Sequence, residues 1–258
     1  MILAIDMGNT NIKIGMADLK DGSIREERLT TDKDRTSMEY ALMISSILDF
    51  YGFSRKQFEG AIISSVVPSL TGVIETAVRK VLGVDPLIVK GSLRMKLSLE
   101  KFPIPDLLGA DLIIGAEAAL RLYEPPVIVI SMGTATTLTV VGKEGRFEGG
   151  LILPGLRTSM AALAGGTAQL PEVDLSSPGS VITVDTAESM RSGLIYGNAA
   201  QLDGLIDRIE KELSEKCRIV ATGGLSRFVV PYCSHDIIMD DKLLIKGLLI
   251  LYNENKTP

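Results

Sequence analysis

Two short polar loops with closely similar residues are the features of this chain best suited to chemistry. They read DMGNTN from position 6 and SMGTAT from position 131, and each follows an apolar run and precedes an extended one. Small residues after a strand allow backbone N–H groups to converge on an anion. Either loop alone favours an ordinary β-turn, but two with hydroxyl or amide side chains in matching places favour phosphate binding.

Two charged residues flank the first loop, Asp6 and Lys13. A carboxylate cannot bind phosphate without a cation, so Asp6 is expected to hold Mg²⁺ or a magnesium-bound water; the alternative is a simple turn former. Lys13 lies on a defined face of the following strand and can reach a phosphate as a point charge. Neither a Walker P-loop nor a G-x-G-x-x-G motif is present.

The elements that must position these loops alternate between strands and helices, which predicts an α/β fold. The two loops lie in similar strand–loop–strand settings, and this repetition indicates a duplicated domain with a ligand cleft between its halves. Strands are predicted at 2–5, 11–17, 26–29, 61–67, 86–89, 127–130 and 218–221. Helices are predicted at 37–51, 70–82, 108–123, 156–164, 186–214 and 242–253, and the apolar stripe of the last one is interpreted as core.

Composition excludes several classes of function. The net charge is −5 and no long basic run is present, so nucleic acid is not expected as a partner. The single histidine, His235, cannot build a multi-histidine metal site, and no G-x-S-x-G motif accompanies it; it is expected near a surface loop. Cys217 and Cys233 are expected to be reduced thiols.

The hydropathy pattern predicts a cytoplasmic protein with no membrane partner. The first residues, MILAIDMGNT, lack the basic and long apolar regions of a signal peptide. No uninterrupted apolar run reaches the length of a membrane-spanning helix.

An ordered series of motifs covering nearly the whole chain resembles the type III pantothenate kinases. The first loop, the second loop and the Gly-Ala-Asp at 109–111 carry much of this resemblance. The remaining motifs are SSVVP at 64–68, GG at 149–150, PGL at 154–156, GTAQLP at 166–171, DT at 185–186, SG at 192–193 and TGGL at 222–225.

The resemblance implies a fold, a reaction and an assembly. The fold is two duplicated ribonuclease-H-like domains of the actin-like ATPase superfold, expected at 1–117 and 118–258, with ATP between them. The reaction is transfer of the γ-phosphate of ATP to the primary hydroxyl of pantothenate, the first step of coenzyme A synthesis. Family members are homodimers that use magnesium and a monovalent cation, potassium or ammonium.

The resemblance also assigns roles to individual residues. Asp111 is the implied general base, although taken alone it is typical of a carboxylate in the first turn of a helix. The implied ATP-binding residues are Asp6, Met7, Gly8, Asn9, Thr10, Asn11, Ile12, Lys13, Thr134, Gly223 and Gly224. The implied pantothenate-binding residues are Phe102, Gly109, Ala110, Asp111, Leu112 and Thr186, with Thr186 supplied by the other subunit.

Four positions depart from the family pattern. Leu112 replaces an arginine of the pantothenate pocket, and Phe102 replaces a tyrosine. Ser131 replaces the aspartate tied to the monovalent cation, and Thr139 replaces a further aspartate. Two interpretations follow: a kinase of a divergent branch, or a nucleotide-binding paralogue with a changed acceptor or a non-catalytic regulatory role.

Overall fold

The first sheet places the first loop at the end of its central strand. The computed structural model describes residues 1–167 and 169–256; Ala168 of the GTAQLP motif, Thr257 and Pro258 lie outside the described residues. The sheet has the order β3-β2-β1-β4-β5, with β2 antiparallel to β1 and β3, and β1, β4 and β5 parallel. Its strands are β1 (Ile2–Met7), β2 (Asn11–Ala17), β3 (Ile24–Thr30), β4 (Gly60–Ser65) and β5 (Leu87–Ile88).

The burial of β1 agrees with its central position in the sheet. All six of its residues are buried, as a strand covered on both faces requires. Helices α1 (Ser37–Phe50) and α2 (Pro68–Leu82) contribute to the same apolar core. A capping box between Thr36 and Glu39 begins α1, and Gly83 in the left-handed region ends α2.

The second sheet repeats this arrangement. Its order is β10-β9-β6-β7-β8, so β6 takes the place of β1, with antiparallel β7 and β8 on one side and parallel β9 and β10 on the other. Identical topology in both sheets confirms the predicted duplication. The strands are β6 (Val127–Met132), β7 (Ala135–Val141), β8 (Phe147–Pro154), β9 (Arg218–Thr222) and β10 (Ile238–Met239); the helices are α4 (Leu156–Gly165), α5 (Thr186–Leu213) and α6 (Ser226–Val229).

The chain forms two compact units, 1–118 with 243–258, and 119–242. The expected division at 117/118 differs from this grouping because the C-terminal helix α7 (Leu243–Asn255) packs on the first sheet. Glycines allow the close approach: a Cβ on Gly15 would lie 2.7 Å from Ile245, and one on Gly60 would lie 1.9 Å from the Tyr252 hydroxyl.

The apolar stripe of α7 is core, as predicted: Leu243, Leu244, Leu248 and Leu251 are buried, and Leu249 is half-buried. Helix α3 (Ala110–Leu122) starts in the first unit and crosses the boundary between the units. Among the residues that the structure describes, no helix has both the length and the hydropathy needed to cross a membrane.

Candidate active site

The first loop is a tight turn between β1 and β2. The Gly8 N–H donates to the Asn11 carbonyl at 3.0 Å, and the Thr31 hydroxyl donates to the Gly8 carbonyl at 2.7 Å. Asn9, Thr10 and Asn11 are exposed at this turn. Of the other predicted ATP-binding residues here, Met7 and Ile12 have fully buried side chains in the core, which leaves only their backbone atoms for such a role.

Asp6, Lys13 and Ser64 form a row across three neighbouring strands. Asp6 on β1 is in register with Lys13 on β2 and with Ser64 on β4, so the three side chains lie on one face of the sheet. The Ser64 hydroxyl donates to Asp6 Oδ1 at 3.2 Å. Ser64 belongs to a motif found in the sequence, but its role beside Asp6 depends on the parallel pairing of β1 with β4.

The environment of Asp6 disfavours its charged form. Burial raises the pKa of Asp6 to about 6 from its ordinary 3.8; the nearby Lys13 ammonium opposes this shift, and the Asp111 carboxylate adds to it. Asp111 therefore lies close enough to Asp6 to act on it electrostatically. The first unit thus brings the predicted magnesium ligand, the predicted phosphate-binding lysine and the predicted general base into one region.

Asp111 occupies the first turn of α3. Burial raises its pKa, and the Leu112 N–H, which donates to Asp111 Oδ1 at 3.0 Å, opposes the shift. A Cβ at position 109 would lie 2.7 Å from that same Oδ1, so glycine is required there for Asp111 to keep this position. Ala110 is buried, and Leu112 is half-buried with no charge to offer a substrate.

The second loop is the corresponding turn between β6 and β7. The Gly133 N–H donates to the Ala135 carbonyl at 2.9 Å, and the Thr158 hydroxyl donates to the Thr134 carbonyl at 2.7 Å. Gly155 lies against the same turn, where a Cβ would be 2.3 Å from the Thr134 oxygen. Thr134 itself is exposed and reachable by a ligand.

The glycines after β9 lie beside the end of β6. Gly223 has a φ of 95°, and a Cβ there would be 2.4 Å from the Met132 carbonyl oxygen. The Ser226 hydroxyl donates to the Gly223 carbonyl at 2.7 Å and fixes the turn into α6. The second unit therefore brings the second loop and the glycine pair at 223–224 together, as two predicted parts of an ATP site.

A row of hydroxyls in the second unit corresponds to the Asp6 row in the first. Ser131 on β6 is in register with Thr137 on β7 and with Thr222 on β9. The Thr137 and Thr222 hydroxyl oxygens are buried without a hydrogen-bond partner among the described residues. The duplicated position thus carries neutral hydroxyls where the first unit carries a carboxylate and an ammonium.

Thr139, the other position that lacks the family's aspartate, lies one step further along β7 on the face of Thr137 and is buried. Phe102 lies half-buried in the stretch between β5 and α3. Thr186 is the exposed first residue of α5, next to Asp185, whose side chain caps that helix by accepting from the Glu188 N–H at 2.9 Å.

His235 lies in the loop before β10, as expected, but it is half-buried rather than fully exposed. Its side chain is only 18% exposed and is held between two carboxylates, with Nδ1 2.8 Å from Asp203 and Nε2 3.2 Å from Asp207. These partners lie on α5, about 30 positions earlier in the chain, so the sequence around His235 could not indicate them.

Comparisons with known proteins agree on fold and family. The chain is 36% identical to a type III pantothenate kinase of Exiguobacterium sp. over 99% of its own length and 100% of that protein's. The activator of 2-hydroxyisocaproyl-CoA dehydratase from Clostridium difficile, solved with bound ADPNP, has a TM-score of 0.56 at 15% identity, covering 97% of this chain and 93% of that one.

A second solved structure shares the fold. The inorganic polyphosphate/ATP-glucomannokinase of Arthrobacter sp. strain KM has a TM-score of 0.50 at 17% identity, covering 98% and 97% of the two chains. At these identities the similarity establishes the fold, that of actin-like ATPases and sugar kinases. The profile of the family described as type III pantothenate kinase matches residues 2–208, and the chain belongs to that family.

Proposed function

We propose that this protein transfers the γ-phosphate of ATP to the primary hydroxyl of pantothenate, the first step of coenzyme A synthesis. Family membership over residues 2–208 supports the substrate pair. The observation that carries the chemistry is the electrostatic effect of Asp111 on Asp6, which is itself in register with Lys13 and Ser64. Phosphoryl transfer needs charge neutralisation and one carboxylate to orient the nucleophile, and this region offers both.

In this proposal the two loops hold the phosphates of ATP. The first loop offers the exposed Asn9, Thr10 and Asn11, and Lys13 supplies a positive charge on the adjoining strand. Thr134 and the glycines at 223–224 are the other ATP-binding residues of this proposal.

Asp6 fits a magnesium site. It is a buried carboxylate with a raised pKa, because Lys13 and Ser64 do not fully offset the loss of hydration of its charged form. A bound cation would stabilise that charged form. When bound, magnesium neutralises phosphate charge. The role of Asp6 is to hold it, or a water bound to it, at the end of β1.

On the acceptor side, Asp111 accepts the proton of the attacking hydroxyl. Its raised pKa suits this role, because a stronger base accepts a proton more readily. Phe102, Gly109, Ala110 and Leu112 line the pantothenate pocket, and Thr186 of a second copy completes it, which makes the active form a homodimer. Since Leu112 is neutral, it cannot pair with the pantothenate carboxylate.

The hydroxyl row of Ser131, Thr137 and Thr222 corresponds to the place of the monovalent cation. Its two unpartnered hydroxyl oxygens can contact potassium or ammonium. The row carries no negative charge to offset the free energy that the ion loses when it leaves water. We therefore propose a weak dependence on potassium. The two cysteines form no disulfide, which suits the cytoplasmic location that we also propose.

The direct test is ADP release with ATP and magnesium, with and without pantothenate, in potassium and in sodium buffer. We expect release that requires pantothenate, changes little between the two cations, and falls about 100-fold or more in Asp111→Asn. Asp21→Asn, in an exposed turn, is the matched control and keeps full activity.

A folded, ATP-binding protein without pantothenate-dependent release would refute the proposal. It would favour a paralogue with a changed acceptor or a regulatory role. Strong potassium dependence would refute only the proposed weak role of the hydroxyl row, and the proposed reaction would stand.

A further inference from the structure

The segment 90–109 joins β5 to α3 and carries two residues of the proposed pantothenate pocket, Phe102 and Gly109. Its regular structure is limited to a single bridge residue at Ser98 and a short 3-10 turn at Pro105–Leu107. Long connections of this kind within a compact unit are usually functional, and they need contacts from elsewhere to keep one conformation. Two side chains outside the segment provide such contacts.

Glu117, on α3, provides the first. The residue is fully buried, its Oε1 accepts from the Lys96 N–H at 3.1 Å, and its Oε2 accepts from the Leu97 N–H at 2.8 Å. Glutamate is very rarely buried completely, because its charge loses hydration unless hydrogen bonds replace it. Both oxygens here serve the backbone of the segment, and Leu97 itself is buried.

Asn255, at the end of α7, provides the second. Its Oδ1 accepts from the Arg94 N–H at 2.9 Å, and its Nδ2 donates to the Arg94 carbonyl at 2.7 Å. The Asn255 amide thus bonds both backbone groups of Arg94, as a residue of a neighbouring β-strand would. Within the segment, Asp106 accepts from the Ser92 N–H at 2.9 Å and closes the chain on itself.

We infer that Glu117 and Asn255 are positioning residues, which hold segment 90–109 in the conformation that presents Phe102 to the acceptor. The inference rests on the proposed function, because it takes Phe102 as a substrate contact. Glu117 also lies on the helix whose first turn carries Asp111, six residues away, so it links the pocket wall to the element that bears the base. Neither residue is assigned contact with a substrate.

The test combines steady-state kinetics with hydrogen–deuterium exchange on the full chain, for Glu117→Gln and Asn255→Ala. Glutamine keeps the shape of Glu117, but its amide group faces one of the two N–H donors, so at least one bond is lost. We expect the KM for pantothenate to rise about tenfold in each variant, with the KM for ATP changed less than twofold. Amide exchange in residues 92–99 is expected to accelerate in both variants.

The matched control is Glu210→Gln in the second unit. Glu210 is also a buried carboxylate that accepts from a backbone N–H, that of Cys217, at 3.0 Å. It is expected to lose thermal stability while both KM values stay unchanged.

The inference is overturned if Glu117→Gln and Asn255→Ala lose stability as the control does while the KM for pantothenate does not move. Unchanged exchange in residues 92–99 would overturn it independently of activity. Should Glu117→Gln fail to fold, Asn255→Ala decides, because its side chain lies at the end of α7 and outside the core. Wild-type protein without pantothenate-dependent turnover would instead refute the proposed function, and the positioning role would fall with it.

Discussion

Removing the charge of Asp6 should stabilise the protein while abolishing its activity. The pKa of this buried carboxyl is about 6 in the folded chain against an ordinary 3.8, so ionising it disfavours the folded state. The difference of about two pKa units corresponds to about 3 kcal/mol. Asp6→Asn keeps an oxygen for the Ser64 hydroxyl and removes the charge, so it recovers much of this free energy.

The sign of the effect fixes its pH dependence. Because the folded-state pKa is the raised one, the stability that Asp6 contributes is fully present below about pH 4 and is lost as the pH rises through about 6. The wild type therefore weakens across this window, and Asp6→Asn lacks this part of the loss. The two proteins should differ by about 1 kcal/mol at pH 4.5 and by up to about 3 kcal/mol at pH 8.

The assay is thermal unfolding without nucleotide at pH 4.5 and pH 8. At about 2.1 cal/mol/K per residue, 3 kcal/mol corresponds to a rise in Tm of about 5 °C for this chain of 258 residues. Asp21→Asn is the control with the opposite sign, because hydrogen bonds lower the pKa of that exposed carboxyl. A Tm of Asp6→Asn at pH 8 equal to or below that of the wild type would refute the reasoning.

Three further perturbations test other parts of the site. Gly223→Ala should lower the Tm by several degrees, because its φ is 95° and a Cβ would lie 2.4 Å from a β6 carbonyl oxygen; Gly72→Ala, in open space on α2, should leave it unchanged or raise it. Lys13→Met should raise the KM for ATP about tenfold or more in an ATP titration. Because Lys13 lowers the pKa of Asp6, the same variant should lose stability over a pH range that lies higher than in the wild type. Ser131→Asp should increase the ratio of ADP release in potassium to that in sodium, and an unchanged ratio would separate this position from the cation.

The duplicated fold could be predicted from sequence because each half contains a local pattern that indicates it. In each half an apolar run ends in a similar polar loop, at 6–11 and at 131–136, and this pattern predicts β1, β6 and the turns after them. The predicted helices and strands agree with the observed elements to within a few residues at their ends, whereas the short α6 and β10 were not predicted. The membership of α7 in the first unit could not be predicted, because its stripe of leucines indicates a core without saying which one.

The candidate site was predictable only in part for a similar reason. Alternation places Lys13 on a defined face of β2, but the presence of Ser64 beside Asp6 depends on the register of β4, 58 positions further along. Glu117 lies in an Ala-rich helix and has backbone N–H groups as partners, which leave no trace in side-chain patterns.

The central claim is that Asp111 directs the γ-phosphate of ATP onto the primary hydroxyl of pantothenate. The most direct measurement identifies the product by mass spectrometry and ³¹P NMR after incubation with ATP, magnesium and pantothenate. The account predicts a phosphate monoester on the primary hydroxyl with the wild type, and at least about 100-fold slower formation with Asp111→Asn. ADP formation without this ester, or an ester formed equally fast by Asp111→Asn, would contradict it.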